Sequence, residues 1–136
     1  MKHYRYIIIG MILCLTSCKE ESSTPTTVNE NLNSPVTTNI TNSFTYSVNA
    51  NQYSDNIHSN LNFLSDSLVV TLVVSNYSSG QAIILVSDSL HAAIFSDTVT
   101  SNKTIALAHF KITRPRYCSL TITNLTAKLA FVVVGE

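Results

Sequence analysis

A period of two constrains this chain more than any other feature. From Thr41 onward, apolar side chains recur at every second position: Phe44, Tyr46 and Val48 alternate with Thr45 and Ser47, and Cys118, Leu120 and Ile122 alternate with Ser119, Thr121 and Thr123. Successive side chains of an extended strand point to opposite faces, so this spacing turns one face to a core and the other to water. No stretch carries the spacing of three and four residues that an amphipathic helix needs. Strands are expected over residues 44–48, 61–63, 68–74, 82–86, 91–95, 105–112, 118–122 and 127–134, separated by turn-forming Ser, Asp, Asn and Pro. The run 68–74 is apolar on both faces and is expected in mid-sheet, covered on both sides. Residues 76–80 read as a loop that returns the chain as a hairpin into 82–86. The predicted fold is all-β, a small antiparallel β-sandwich of about eight strands, with a closed barrel as the alternative. Leu68, Val70, Leu72, Leu120, Ile122, Phe131 and Val133 are expected to share its core.

Composition then excludes several functions. Eight basic and eight acidic residues balance, so the chain lacks the basic surplus with which proteins grip nucleic acid. Of three glycines, only Gly80 lies in the body of the predicted domain. A phosphate-cradling loop needs several, because backbone N–H groups must approach the anion closely. At 136 residues, one core is expected.

The first residues read differently. Lys2 and Arg5 precede an apolar run over residues 6–15, which ends in Leu15-Thr16-Ser17-Cys18. That run is too short to span a bilayer as a permanent helix. A charged start, a short apolar stretch and leucine, two small residues and cysteine resemble the signal and lipobox of bacterial lipoproteins. The resemblance implies cleavage before Cys18, acylation of that cysteine (palmitate-type lipid) and attachment to a membrane of the cell envelope. It divides the chain into a signal peptide at 1–17, the lipidated cysteine with a Ser-, Thr-, Pro- and Asn-rich flexible linker at 18–41, and the sandwich at 42–136. The triplet Lys19-Glu20-Glu21 resembles the surface-export signal of lipoproteins in some Bacteroidetes, which implies a surface-exposed protein of the outer membrane, the alternative being a domain facing the periplasm. Cys14 then leaves with the signal and Cys18 carries lipid, so Cys118 is left without a disulfide partner and reads as a small buried hydrophobe. Residues 68–95 resemble the strand-loop-strand core of immunoglobulin-like, CUB-like and jelly-roll sandwiches, without the immunoglobulin cysteine pair or its tryptophan.

Candidate chemistry is sparse. Three of the four aspartates open Asp-Ser/Thr-aliphatic triplets, Asp66-Ser67-Leu68, Asp88-Ser89-Leu90 and Asp97-Thr98-Val99. These resemble the acceptor motif of the general O-glycosylation system of Bacteroidetes, which implies glycans on Ser67, Ser89 and Thr98; ordinary Asp-Ser turn chemistry is the competing account. Arg114, Arg116 and Tyr117 flank Pro115 and read first as a solvated turn; as a site they would hold an anion or a sugar ring, with Tyr53 and Tyr77 as further stacking faces. His58, His91 and His109 lack metal-ligand spacing. Asn49, Asn51 and Asp55 lack the glycine and distal glutamate of a calcium loop. No Gly-x-Ser-x-Gly elbow is present and no two carboxylates stand in a context that would push their pKa values apart, so neither an enzyme nor a cofactor is expected. The sequence reading is a lipid-anchored binding, adhesion or structural module whose partner is a surface protein or glycan. Its rivals are an accessory or inhibitory (immunity) lipoprotein that binds an envelope enzyme or toxin, and a cryptic hydrolase.

Overall fold

The structure, a computed structural model, describes residues 31–111 and 113–136, with the backbone alone at 107, 109 and 111. Six strands follow one another: β1 (Val36–Ile40), β2 (Ser43–Asn60), β3 (Ser67–Ser87), β4 (Ala93–Val99), β5 (Lys103–Lys111) and β6 (Tyr117–Gly135). Every strand pairing is antiparallel, and the described residues include no helix. The strands form a single hydrogen-bonded sheet in the order β1-β2-β6-β3-β4, with β5 also pairing β3. The all-β, antiparallel expectation holds. The strand count differs: β2, β3 and β6 run for 18, 21 and 19 residues, well beyond the usual three to ten.

Those three strands are long because each is creased instead of cut. Pairing shifts register between Ala50, Tyr53 and Asp55 on β2 and between Ser75, Ser79 and Gln81 on β3. Left-handed residues mark the same line on all three strands, namely Gln52 at φ 51°, Asn76 at 55°, Gly80 at 81° and Asn124 at 47°. Asn tolerates this conformation because its short polar side chain hydrogen-bonds locally. At Gly80 the need is steric. A Cβ there would strike the Asn124 carbonyl and come within 2.6 Å of the Leu125 Cα, so β6 crosses β3 where only glycine fits. Side chains stitch the crease: the Asn124 N–H donates to Ser54 Oγ at 2.9 Å, and the Tyr77 hydroxyl donates to the Gly80 carbonyl at 2.8 Å.

The crease turns the sheet back on itself. Phe131 sits opposite Leu72 of β3, and Phe95 sits opposite Val86. Positions 72 and 86 would lie roughly 45 Å apart along a straight strand, yet the Phe95 and Phe131 rings stack at 6.0 Å. Phe110, paired with Leu68, meets Phe95 edge-on at 5.7 Å. One half therefore consists of β1, β5 and the near parts of β2, β3 and β6. The other consists of β4 with the remaining parts of the three long strands. All seven predicted core residues lie in the single buried cluster between the halves, with Cys118 at 1% exposure. Burial pushes the Cys118 thiol up to about 12, which keeps it neutral.

Five expectations are corrected by this geometry. Residues 68–74 and 82–86 are two arms of β3, joined by an irregular strand stretch and not by a hairpin loop, and 118–122 and 127–134 are likewise one strand, β6. Residues 61–63 leave the sheet as an extended segment whose Leu61 and Phe63 plug the core. Residues 53–60, read as a gap between strands, are the far arm of β2, because their polar alternation hides a strand with one wet face. The expected linker ended at 41, but β1 joins the sheet from Val36, and Asn33 is tied to β2 by an N–H to the Asn49 carbonyl at 2.8 Å. The mid-sheet run 68–74 is interior by hydrogen bonding, yet its second face is covered only in part: Val69 is buried, whereas Val73 is 38% exposed.

Candidate functional site

The proline turn brings two of its three candidates to one place. Pro115 is buried, and the Arg116 N–H donates to the Ser87 carbonyl at 2.8 Å while the Arg116 carbonyl accepts from the Leu61 N–H at 2.7 Å. These bonds feed the chain into β6 at Tyr117, opposite Asn60 of β2 and Ser87 of β3. The neighbouring rank places Ser119 between His58 and Leu85. Together the two ranks floor a recess of about 360 Å³ on the outer face of the β4-containing half, walled by His91. A second recess of about 320 Å³ adjoins it, sharing Asn60 and Tyr117 and adding Ser89 and Arg116. Arg114 is not part of either. Its Nε lies 3.5 Å from Asp66 Oδ1, in an exposed ion pair of little energetic weight.

His91 is held there by the loop that follows β3. Asp88 Oδ1 accepts from the Leu90 N–H at 2.8 Å and the Ala92 N–H at 2.9 Å, and Asp88 Oδ2 accepts from Thr113 Oγ1 at 3.3 Å. The Ala92 N–H, followed by those of Leu90 and the Thr113 hydroxyl, holds the Asp88 carboxyl below the usual carboxylate range. His91 takes a left-handed φ of 62°, and its ring stacks on Tyr117 at 4.6 Å with 15° between planes. The pair forms a flat plate beside amide, hydroxyl, imidazole and guanidinium groups. Such a lining suits a polar ligand with a planar or ring-shaped face, gripped by stacking and hydrogen bonds. No carboxylate lines either recess; the titratable side chains that do are His58, His91, Arg116, Tyr117 and Cys118.

The other candidates have other duties. Tyr53 and Tyr77 do not serve as stacking faces: both pack against the core, with Tyr53 donating to Asp55 Oδ2 at 2.7 Å and Tyr77 to the Gly80 carbonyl. Desolvation, with the Asp55 carboxylate as acceptor, raises the Tyr53 phenol. Asn49, Asn51 and Asp55 lie along β2, where the Asn51 N–H donates to Asn33 Oδ1 and Asp55 accepts from Tyr53 and the Asn56 N–H. Among the described residues, no three of His, Cys, Asp and Glu gather as a metal site. The three acceptor triplets differ in setting. Ser89 and Thr98 are exposed, whereas Ser67 is half-buried and donates to the Glu136 carbonyl at 3.1 Å. Cys18, Lys19, Glu20 and Glu21 lie outside the described residues.

Sequence reasoning missed Asn60, His58, His91 and Ser119 as neighbours of Tyr117. They come from two strands and a loop, and only register places them together. A larger groove, about 610 Å³, lies elsewhere, on the outer face of the half containing β1, lined by Pro35, Val36, Ser47, Val73, Lys128 and Ala130 among others. It is broad and mostly apolar, and the polar chemistry is concentrated at Tyr117. No family model matches the chain, and no curated protein matches it.

Proposed function

We propose that this chain is a lipid-anchored module of a bacterial cell envelope, a sandwich-like β fold held out from the outer membrane on its N-terminal linker, which binds a surface glycan through the paired recesses at Tyr117. The observation that carries this reading is the His91–Tyr117 stack, flanked by Asn60, Ser119 and Arg116 on a rigid sheet. A sugar ring presents an apolar face to an aromatic plate and hydroxyls to amide and hydroxyl partners, and the lining matches both demands. Anchoring rests on Leu15-Thr16-Ser17-Cys18, and export to the cell surface on Lys19-Glu20-Glu21. The proposed module binds its ligand without turning it over; among the described residues no carboxylate lines the recess to orient His58 or His91 as a base toward its serines. Ser89 and Thr98 present their hydroxyls to solvent and are the better acceptors of O-glycans; Ser67 is modified only once its bond to the Glu136 carbonyl opens.

The test is binding of the full chain to an array of bacterial envelope glycans, followed by titration of the best ligand with amide shifts recorded. Tyr117→Ala and His91→Ala are expected to weaken binding roughly ten-fold each, about 1.4 kcal/mol. Shifts confined to residues away from Asn60, His91 and Tyr117 reject the site, and hydrolysis of any array member rejects the non-enzymatic reading.

A further inference from the structure

Among the described residues, the sheet leaves four stretches of strand edge unpaired: β1, the 53–60 arm of β2, β4 and β5. A bare edge is a template for another strand, and soluble proteins blunt it with charge, proline or a bulge. Three of the four are blunted here. The β2 arm carries Asp55 and follows the register shifts at the crease. β4 carries Asp97 and is irregular at Val86/Ser87; β5 carries Lys103 and is irregular at Val70/Leu72. Lys103 Nζ lies 2.7 Å from Asp97 Oδ1 and ties these two edges together.

β1 has none of these devices. Its sequence is Val-Thr-Thr-Asn-Ile, uncharged and β-branched at four of five positions, and its register on β2 runs unbroken from Val36↔Ser47 to Ile40↔Ser43. All five residues are exposed, with Val36 at 63% and Ile40 at 59%. Among the described residues, those before β1 do not cover this edge. Leu32 and Asn33 lie instead against Asn49 of β2.

We propose that β1 pairs with β1 of a second copy of this chain, antiparallel, about a two-fold axis through Thr38. Val36, Thr38 and Ile40 share the outer face with Ser47, Thr45 and Ser43, while Thr37 and Asn39 point to the other side. An axis at Thr38 sets Val36 opposite Ile40 twice, Thr38 opposite Thr38, and Thr37 opposite Asn39. Each pair matches in character, and none opposes like charges. This register uses all five residues; moving the axis to Thr37 or Asn39 leaves three pairs, and a one-residue slip turns the partner's outer face inward. The contact is isologous and closes at two chains. It also covers Val36 and Ile40 with each other and continues the half-sheet across both copies.

The experiment uses the full chain with Cys14 and Cys18 replaced by Ser, so that buried Cys118 is the remaining thiol and no lipid drives association, in detergent with micelles in excess over protein. Directly opposed strand residues have Cα atoms about 4.5–5.5 Å apart, within the span of a disulfide. Under mild oxidation, Thr38→Cys is expected to form several-fold more covalent dimer than Leu90→Cys, placed on the exposed loop between β3 and β4 and off the proposed contact. Sedimentation equilibrium is expected to show the parent chain rising from one to two copies with concentration, and Thr38→Lys, with an unchanged thermal midpoint, remaining at one. A parent chain that stays single at every concentration, equal crosslinking at Thr38 and Leu90, or a folded Thr38→Lys chain that still doubles overturns the proposal.

Discussion

Gly80 and Asp88 show how single residues set this architecture. Gly80 lies at φ 81° with the Asn124 carbonyl and the Leu125 Cα in the space a side chain would occupy. Gly80→Ala therefore adds left-handed strain to a backbone clash, and a loss of about 2 kcal/mol or more is expected by urea denaturation, against a few tenths for a typical surface change. A stability equal to wild type would mean that the crease can open. Asp88 works through its charge. Its folded-state carboxyl is held below the ordinary range by the Ala92 and Leu90 N–H groups, so the unfolded chain takes up the proton first as pH falls. The stabilisation is complete above the unfolded value, near 4, and is lost as pH drops through the lower folded value. The thermal midpoint should decline across that acid window, and Asp88→Asn should flatten the decline. A midpoint whose pH dependence is identical in the two chains contradicts this role. The same carboxyl fixes the loop that holds His91 against Tyr117, so acid should weaken ligand binding in that window as well.

At the scale of strands, β6 is the spine. It pairs with β2 on one side and β3 on the other along most of its length, and its inward residues Leu120, Ile122, Leu129, Phe131 and Val133 are buried in the core. Phe131 is fully buried, edge-on to Phe44 at 6.4 Å and stacked on Phe95 across the fold. Phe131→Ala removes contacts from both halves at once, and a loss of about 3–5 kcal/mol is expected from chemical denaturation. A cost below about 1 kcal/mol would show that the halves do not close on this ring. The alternation that makes β6 a strand was legible in the sequence from Cys118 to Thr123 and again from Leu129 to Val133. Its continuity was not, because Asn124, Leu125 and Thr126 break the polar–apolar rhythm as a turn does. The same ambiguity hid β3, where Asn76 and Gly80 are turn residues used as a crease. A bulge and a hairpin loop draw on the same left-handed residues, and only the partner strand distinguishes them.

For the whole molecule, the decisive question is where the fold sits relative to the membrane. Lys19-Glu20-Glu21 directly follows Cys18, and Glu30 is the only other acid before Asp55. Surface export predicts that protease added to intact cells digests the wild-type chain, and that Glu20→Ala with Glu21→Ala protects it. Equal protection of both would place the domain on the periplasmic side. Display at the surface, as proposed, would give the recess at Tyr117 access to glycan and leave β1 free to meet a second copy.

The linear sequence determined the all-β class, the seven core residues and the burial of Cys118, because a side-chain period of two and the cost of exposing apolar groups act locally, whatever the topology. It also carried Leu15-Thr16-Ser17-Cys18, the contiguous string on which the proposed anchoring rests. Tertiary structure alone decided that three strands crease where a reader expects loops, that 53–60 and 36–40 belong to the sheet, and that His58, Asn60, His91 and Ser119 gather around Tyr117. These follow from register between distant segments, which is set by how two half-sheets share one core, a quantity that no local window of residues contains.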